Sequence, residues 1–124
     1  MIASGVIPAE CASKSNSRRF TKTGRLIKSK KALDFVEVAG VSVLKQEPLY
    51  DGPVSVTAYC YYASRRPDLD PQLLLDCLQG KVYVNDRQVV ELKAVKRIDR
   101  KNPRVEWIAD YAEWEWSKTP APQQ

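Results

Sequence analysis

Residues 54–71 read VSVTAYCYYASRRPDLDP, an alternating segment that runs directly into a turn with two arginines and two aspartates. Apolar or small residues at every second position of 54–62 predict a β-strand with one buried face. In an extended chain, residues two apart point to the same side with side chains about 7 Å apart. Asp68 and Asp70 are therefore expected to converge if Leu69 faces away. Because functional groups often lie just beyond the end of a rigid element, we place the candidate site in this turn.

The residue types in this turn indicate a particular chemistry. Mg²⁺ prefers carboxylate oxygens and keeps several waters, so two or three acids suffice to bind it. Arg65 and Arg66 precede the acid pair and can hold a phosphate. Metal-binding acids beside phosphate-binding arginines indicate phosphodiester hydrolysis. Structural readings stay open, because Asp-x-Asp is a common pattern, Asp70-Pro71 is typical of a helix start, and Asn85-Asp86 is a favoured turn pair.

Composition excludes several classes of protein. A length of 124 residues predicts one domain, and no stretch approaches the run of about 20 apolar residues that a membrane span needs. The absence of histidine excludes Ser-His and Cys-His nucleophiles and His-based zinc sites. Three scattered cysteines indicate reduced thiols in a cytoplasmic setting. Catalysis, if present, must then use carboxylates, lysines, hydroxyls or a hard metal.

The distribution of charge indicates a nucleic-acid partner. Residues 11–32 contain eight Lys or Arg and no acid, within a chain of net charge +5. A second basic cluster is found at 93–104. Cations that neutralise phosphates release counterions, so such clusters favour nucleic acid in a salt-dependent way. The alternatives are a solvated basic surface or an acidic protein partner.

The first fifty residues predict one strand, one loop and one helix. The strand is expected at 2–7, and residues 9–23 are expected to form a mobile basic loop. Ser29 is expected to cap a helix over 30–45. The predicted apolar stripe of that helix is Leu33, Val36, Gly40, Val43 and Leu44.

The second half predicts a short helix and further strands. Asp70 is expected to cap a helix that ends at Gly80, with Leu74, Leu75 and Leu78 buried. Residues 81–84 predict a short strand, and residues 88–98 and 104–114 predict two longer strands joined as a hairpin. Residues 117–124 predict a disordered tail, which leaves residues 1–116 as a single domain.

Three separated motifs carry a resemblance to a known family. They are Ser64-Arg-Arg-Pro-Asp-Leu-Asp70, the segment from Leu75 to Gly80, and Val82-Tyr-Val-Asn-Asp-Arg-Gln-Val89. In this order they resemble the RusA-like family of Holliday junction resolvases, and Ser13-Lys-Ser-Asn-Ser17 is similar to the family's small-Lys-x-Asn segment. The resemblance implies a RusA-like α/β fold of the α+β type, in which a mixed β-sheet is flanked by two helices.

The resemblance also implies a function. It is that of a homodimeric, Mg²⁺-dependent endonuclease of bacterial or phage origin, with Mn²⁺ as the alternative cofactor, in the cytoplasm of a bacterial or phage-infected cell. The enzyme would nick four-way DNA junctions symmetrically in recombination and repair. Its catalytic and metal-binding acids fall on Asp68, Asp70 and Asp86. The candidate DNA-binding residues of the chain are Lys14, Asn16, Arg18, Arg19, Lys22, Arg25, Lys28, Lys30, Lys31, Arg65, Arg66, Lys81, Arg87 and Lys96.

The chain departs from the family pattern near the second acid. Pro71 follows Asp70 where the family usually has asparagine, and Leu74 stands where the family usually has a lysine. Lys81, Arg87 and Lys96 are candidates to replace that lysine. The departure keeps open a catalytically inactive junction-binding protein of the same fold. A small RNA-binding protein is a weaker alternative, because the chain lacks an aromatic RNP-type stacking pattern.

Overall fold

A computed structural model describes residues 2–13, 18–20 and 26–113, and gives no side-chain description for 18–20 and 26–28. Its elements, in chain order, are β1 (Ile2–Ile7), β2 (Arg18–Phe20), β3 (Leu26–Lys28), α1 (Lys30–Ser42), β4 (Val54–Tyr62), α2 (Gln72–Leu78), a 3₁₀ helix (Asp86–Gln88), β5 (Val89–Ile98) and β6 (Arg104–Tyr111).

The main sheet is mixed and has the strand order β1-β6-β4-β5. β4 pairs with β5 in parallel and with β6 antiparallel, and β1 pairs antiparallel with β6. Buried residues of α1, α2 and alternate positions of β4 and β6 form one hydrophobic core, so both helices pack on one face of the sheet. This arrangement confirms the expected α+β fold with a mixed sheet and two helices.

β4 is the central strand that its alternating sequence predicted. One side of the strand is fully buried, and the other side is half-buried. The buried residues are Val54, Val56, Ala58, Cys60 and Tyr62. Because β5 and β6 satisfy the hydrogen-bonding groups along both of its edges, β4 is a rigid base for the loop that follows it.

The predicted hairpin of the last two strands is wrong. β5 and β6 lie on opposite sides of β4 and do not pair with each other. The register places Val89 beside Val54 and Ile98 beside Tyr62. Parallel strands need a long crossover connection, and residues 63–88 provide it through α2 and the 3₁₀ helix. Apolar alternation is equally compatible with either pairing, so it could not distinguish them.

The predicted buried stripe of α1 is only partly right. Val43 at the C-cap is buried and Val36 packs against the core, whereas Leu33, Gly40 and Leu44 are exposed. Ser29 does cap the helix, since its side chain accepts a hydrogen bond from the Ala32 N–H at 3.3 Å. The residues buried in the helix are Ala32, Phe35 and Ala39, whereas Leu33 remains 54% exposed. The buried face of α1 thus consists of two small residues and one aromatic residue, a choice of face that hydrophobicity alone does not predict.

The region around α2 differs from expectation in two details. Pro71 occupies the cap position without a side-chain cap, so Asp70 precedes the cap. The helix ends before Gly80, whose φ of 82° suits glycine. Residues 81–84 form turns rather than a strand, with isolated bridges at Tyr83.

Parts of two predictions lie outside the described residues. They are the tail at 117–124 and much of the loop at 9–23. Within that loop, residues 18–20 form β2, which pairs antiparallel with β3, so the loop prediction is wrong for these three residues. The three cysteines, Cys11, Cys60 and Cys77, all lie in the described part of the chain, and none of them forms a disulfide. No helix in the described part of the chain is long and apolar enough to cross a membrane.

Candidate active site

The acidic loop, residues 63–71, connects β4 to α2 and carries Asp68 and Asp70. Side chains from other elements hold its backbone carbonyls. Lys96 Nζ donates to Arg65 O at 2.8 Å and also to Pro67 O. Tyr62 Oη donates to Asp68 O at 3.4 Å, and Cys11 Sγ approaches Asp70 O at 3.5 Å. The loop is therefore tied to β4, β5 and the segment after β1.

The carboxylate of Asp70 is oriented by two hydrogen bonds. Ser13 Oγ donates to Oδ2 at 2.9 Å, and the Gln72 N–H donates to Oδ1 at 3.1 Å. The second bond satisfies an N–H in the first turn of α2 from outside the cap position. Since a carboxylate offers about four acceptor positions, an oxygen held in this way can also meet a cation.

Asp68 lies in the same loop as two arginine side chains that are available to bind a ligand. Its exposed carboxylate has no hydrogen bond or ion pair to any described residue, and neither do the guanidinium groups of Arg65 and Arg66. Asp68 and Arg66 line a cavity of about 280 Å³ together with Ser13 and Lys31. The acidic loop thus presents a carboxylate that shares a cavity with Arg66, and Arg65 precedes them in the same loop. Guanidinium groups such as these can donate hydrogen bonds to a phosphate.

Asp86 lies at the other end of β4. Asn85 caps the 3₁₀ helix, and Gln88 Nε2 donates to Tyr50 O at 2.8 Å and to Gly52 O at 2.9 Å, just before β4 begins. The acidic loop instead follows the end of β4. Nine strand residues span roughly 30 Å, so the strand separates the two regions.

α2 connects the acidic loop to the Asp86 region, but it is much shorter than β4. Asp70 precedes the helix, and Gln79 follows it and accepts from the Asp86 N–H through Oε1 at 2.9 Å. The seven residues of α2 span roughly 10 Å of helix axis. Among the described residues, which include all three predicted acids, no group of three or more His, Cys, Asp or Glu could hold a metal ion. The expected convergence of Asp68, Asp70 and Asp86 within one chain is not found.

Tyr83 joins the Asp86 region to α2. Its buried hydroxyl donates to Leu75 O at 2.6 Å. Burial, and then the nearby Asp86 and Asp76 carboxylates, raise the pKa of Tyr83. The phenol therefore stays protonated at neutral pH and serves as a hydrogen-bond donor within the fold.

Several predicted DNA-binding side chains have partners within the protein. Lys31 Nζ lies 2.6 Å from Glu10 Oε2, and Lys30 lies 4.0 Å from Asp34. Lys81 Nζ donates to Gly40 O at 3.1 Å and Val43 O at 3.4 Å, where it satisfies carbonyls at the C-terminal end of α1.

Other predicted DNA-binding residues fall into two groups. Arg87 is exposed, and its guanidinium has no partner among the described residues. Outside the described residues or without described side chains are Lys14, Asn16, Arg18, Arg19, Lys22, Arg25 and Lys28. In the second basic cluster, Arg104 is paired with Asp99 and Glu106 at 2.8 and 2.7 Å.

The position of the missing family lysine lies in the core. Leu74 has no solvent exposure, so a charged side chain at this position of α2 would be costly. Of the candidates to replace it, Lys81 and Lys96 bond to backbone carbonyls, whereas Arg87 remains exposed beside Asp86.

Sequence reasoning did not find Glu10, which anchors the start of the acidic loop. Its Oε1 accepts from the Ala63 N–H at 2.8 Å, while Oε2 pairs with Lys31. Burial acts to raise the pKa of Glu10, but the hydrogen bonds from Lys31 and Ala63 outweigh it and lower the pKa below 4.5. The only signal in the sequence was the place of this acid just before the acid-free stretch 11–32.

We expect Glu10→Gln to lower the free energy of unfolding by about 1 kcal/mol at pH 7. The glutamine side chain keeps an oxygen that can accept from the Ala63 N–H, but it lacks the negative charge that pairs with Lys31. Because the folded-state pKa of Glu10 is lowered, the wild-type advantage is complete above pH 4.5 and is lost as the pH falls through the folded-state value. Urea unfolding at a series of pH values measures this. A difference that does not shrink as the pH is lowered until the protein unfolds would contradict the assignment.

One protein-family model matches most of the chain, including the region described above. The family model described as Endodeoxyribonuclease RusA matches residues 8–107. The matched region contains the acidic loop, α2, the 3₁₀ helix and β5. No curated protein matches the chain.

Proposed function

This chain belongs to the RusA family of endodeoxyribonucleases, and from that premise we propose that it resolves four-way DNA junctions by paired, symmetric nicks in recombination and repair. The observation that carries the proposal is the acidic loop. Asp68 and an oriented Asp70 lie there beside two arginines that have no partner among the described residues. In such a loop the arginines can bind a phosphodiester and the carboxylates can bind the metal ion that promotes its hydrolysis.

The residues present fit a hard divalent cation, Mg²⁺ or Mn²⁺. The donors are carboxylate oxygens, and the Asp68 carboxylate has no partner among the described residues that would compete with a metal. A bound metal would polarise the scissile phosphate and lower the pKa of a water. Ser13 orients Asp70 for this role, and Arg65 and Arg66 bind phosphates of the strand to be cut.

A homodimer supplies the third acid of the proposed site. Asp70 and Asp86 lie at opposite ends of α2, and no three-acid group forms within the described part of one chain. We therefore assign the third ligand to the partner subunit's Asp86. A twofold dimer then holds two equivalent sites, which suits paired nicks on a four-way junction. The DNA arms would contact the basic residues 14–31 and Arg87.

A second candidate is a junction-binding protein without catalytic activity. One observation favours it, namely the buried Leu74 at the family's lysine position. A lost cation near the scissile phosphate removes transition-state stabilisation of a few kcal/mol.

A cleavage assay separates these functions. Purified chain is incubated with a synthetic four-way junction and with a linear duplex of the same sequence, in Mg²⁺, Mn²⁺, Ca²⁺ or EDTA. We expect symmetric nicks in the junction with Mg²⁺ or Mn²⁺ alone, and an intact duplex. Junction binding without cleavage in any metal would support the inactive binder. Failure to bind or cut the junction would overturn both functions.

A further inference from the structure

Lys96 has an unusual position for a lysine of a DNA-binding protein. It lies on β5 beside Cys60, whose side chain is buried on the face that the helices cover. Neighbouring residues of paired strands project to the same face. From there, Nζ reaches over the end of the sheet to the carbonyls of Arg65 and Pro67, and lies 5.6 Å from the centroid of the Tyr62 ring.

The two carbonyls bonded by Lys96 lie directly before Arg66 and directly before Asp68 in the chain. An ammonium group has three donors, and two of them bind these carbonyls. Pro67 also has a restricted φ. With the carbonyls of residues 65 and 67 attached to one ammonium group, the backbone directions of Arg66 and Asp68 are set by the position of Lys96.

Among the hydrogen bonds that described side chains donate to backbone carbonyls of residues 65–70, those from Lys96 are expected to be the strongest. The Tyr62 hydroxyl and the Cys11 thiol make long contacts, 3.4 and 3.5 Å, to Asp68 O and Asp70 O. Hydrogen bonds from a charged donor are roughly twice as strong as neutral ones, and the Lys96 bond to Arg65 O is 2.8 Å long. Removing the ammonium group would leave two carbonyls without their charged partner.

We propose that Lys96 is a positioning residue: its ammonium group fixes the acidic loop and so holds Asp68 and Arg66 in the geometry that cleavage requires. Lys96 itself neither contacts DNA nor replaces the family's lysine. The catalytic part of this inference rests on the proposed function. A displacement of about 1 Å in a catalytic group can lower a rate by about 10²-fold. The effect should therefore appear in the rate constant for cleavage and not in junction affinity.

The kinetic test compares Lys96→Met with Lys96→Arg, and with Lys45→Met as the control. Lys45 is an exposed lysine with a 3.8 Å contact to Glu47, so its loss removes the same charge far from the loop. In single-turnover assays we expect Lys96→Met to lower the cleavage rate by about 10²-fold. Its junction Kd in Ca²⁺ should stay within about twofold of the control. Lys96→Arg, which keeps charged donors, should regain at least about tenfold of the rate.

A second measurement needs neither DNA nor metal. Amide hydrogen exchange of residues 63–70 should be about tenfold faster or more in Lys96→Met, while exchange of β4 stays unchanged. If Lys96→Met does not fold, Lys96→Gln, which keeps one amide donor group, should show faster loop exchange than the wild type.

Two results would overturn the inference. One is unchanged loop exchange in the variants, which decides against Lys96 whether or not the wild-type protein cuts junctions. The other is a loss of junction affinity equal to the loss of cleavage, which would make Lys96 a DNA contact. A wild-type protein that never cuts, combined with faster loop exchange in Lys96→Met, would reject the proposed nuclease and retain the positioning role.

Discussion

The Asp70→Asn variant should bind a four-way junction as tightly as the wild type and lose cleavage by at least about 10³-fold, since metal-assisted stabilisation is worth several kcal/mol. Asparagine keeps an oxygen that can accept from the Gln72 N–H, and its NH₂ group can donate to Ser13 Oγ, so the contacts of Asp70 with these two residues are retained. What is lost is one negative charge that a divalent cation would meet.

The measurement needs two conditions and a matched control. Junction affinity is measured in Ca²⁺ and single-turnover cleavage in Mg²⁺. Asp34→Asn removes the same charge from an exposed position of α1, where Asp34 makes a 4.0 Å contact with Lys30, and should leave both quantities unchanged. Wild-type cleavage by Asp70→Asn would remove Asp70 from the catalytic assignment.

Mixed dimers should recover activity that neither parent variant has. If each site takes Asp70 from one subunit and Asp86 from its partner, then Asp70→Asn and Asp86→Asn homodimers each have two defective sites. A heterodimer of the two variants collects both substitutions in one site and leaves the other site intact. We expect the parents to fall by about 10³-fold and the purified heterodimer to nick one strand of a junction at a rate within about tenfold of one wild-type site.

The control for this experiment is a heterodimer of Asp68→Asn and Asp70→Asn. Both acids belong to the same acidic loop, so each site of this heterodimer is defective and no activity should return. Two differently tagged chains, co-expressed and purified in tandem, provide the material, and sedimentation establishes the dimer. An inactive Asp70→Asn and Asp86→Asn heterodimer would argue that all three acids act from one chain.

Local patterns in the sequence predicted the features that depend on neighbouring residues. The alternation in 54–62 specified β4 and its buried face, because side chains of an extended chain alternate between two sides. Ser29 was predicted as a cap because a hydroxyl at that position can reach the N–H groups of the first turn. The order of the motifs at 64–70 and 82–89 indicated the family that the family model matched.

Features that depend on distant residues were not predicted. Lys81 follows Gly80, and Lys96 stands in the basic stretch 93–104. Neither local sequence indicates that Lys81 satisfies carbonyls at the end of α1 or that Lys96 holds the acidic loop. Glu10 contacts Ala63 across 53 positions of the chain. Neither contact has a local pattern, because each partner is brought into place by the packing of separate elements.

By itself, the sequence determined the central strand, the helix cap, the fold class, the family and the residue types of the acidic loop. Only the tertiary structure decided that β5 runs parallel to β4, which places Asp86 near the start of β4 and the acidic loop beyond its end. The physical reason is that periodicity reports which faces of an element are buried, whereas strand order and direction depend on the crossover connection and on the core that the elements share.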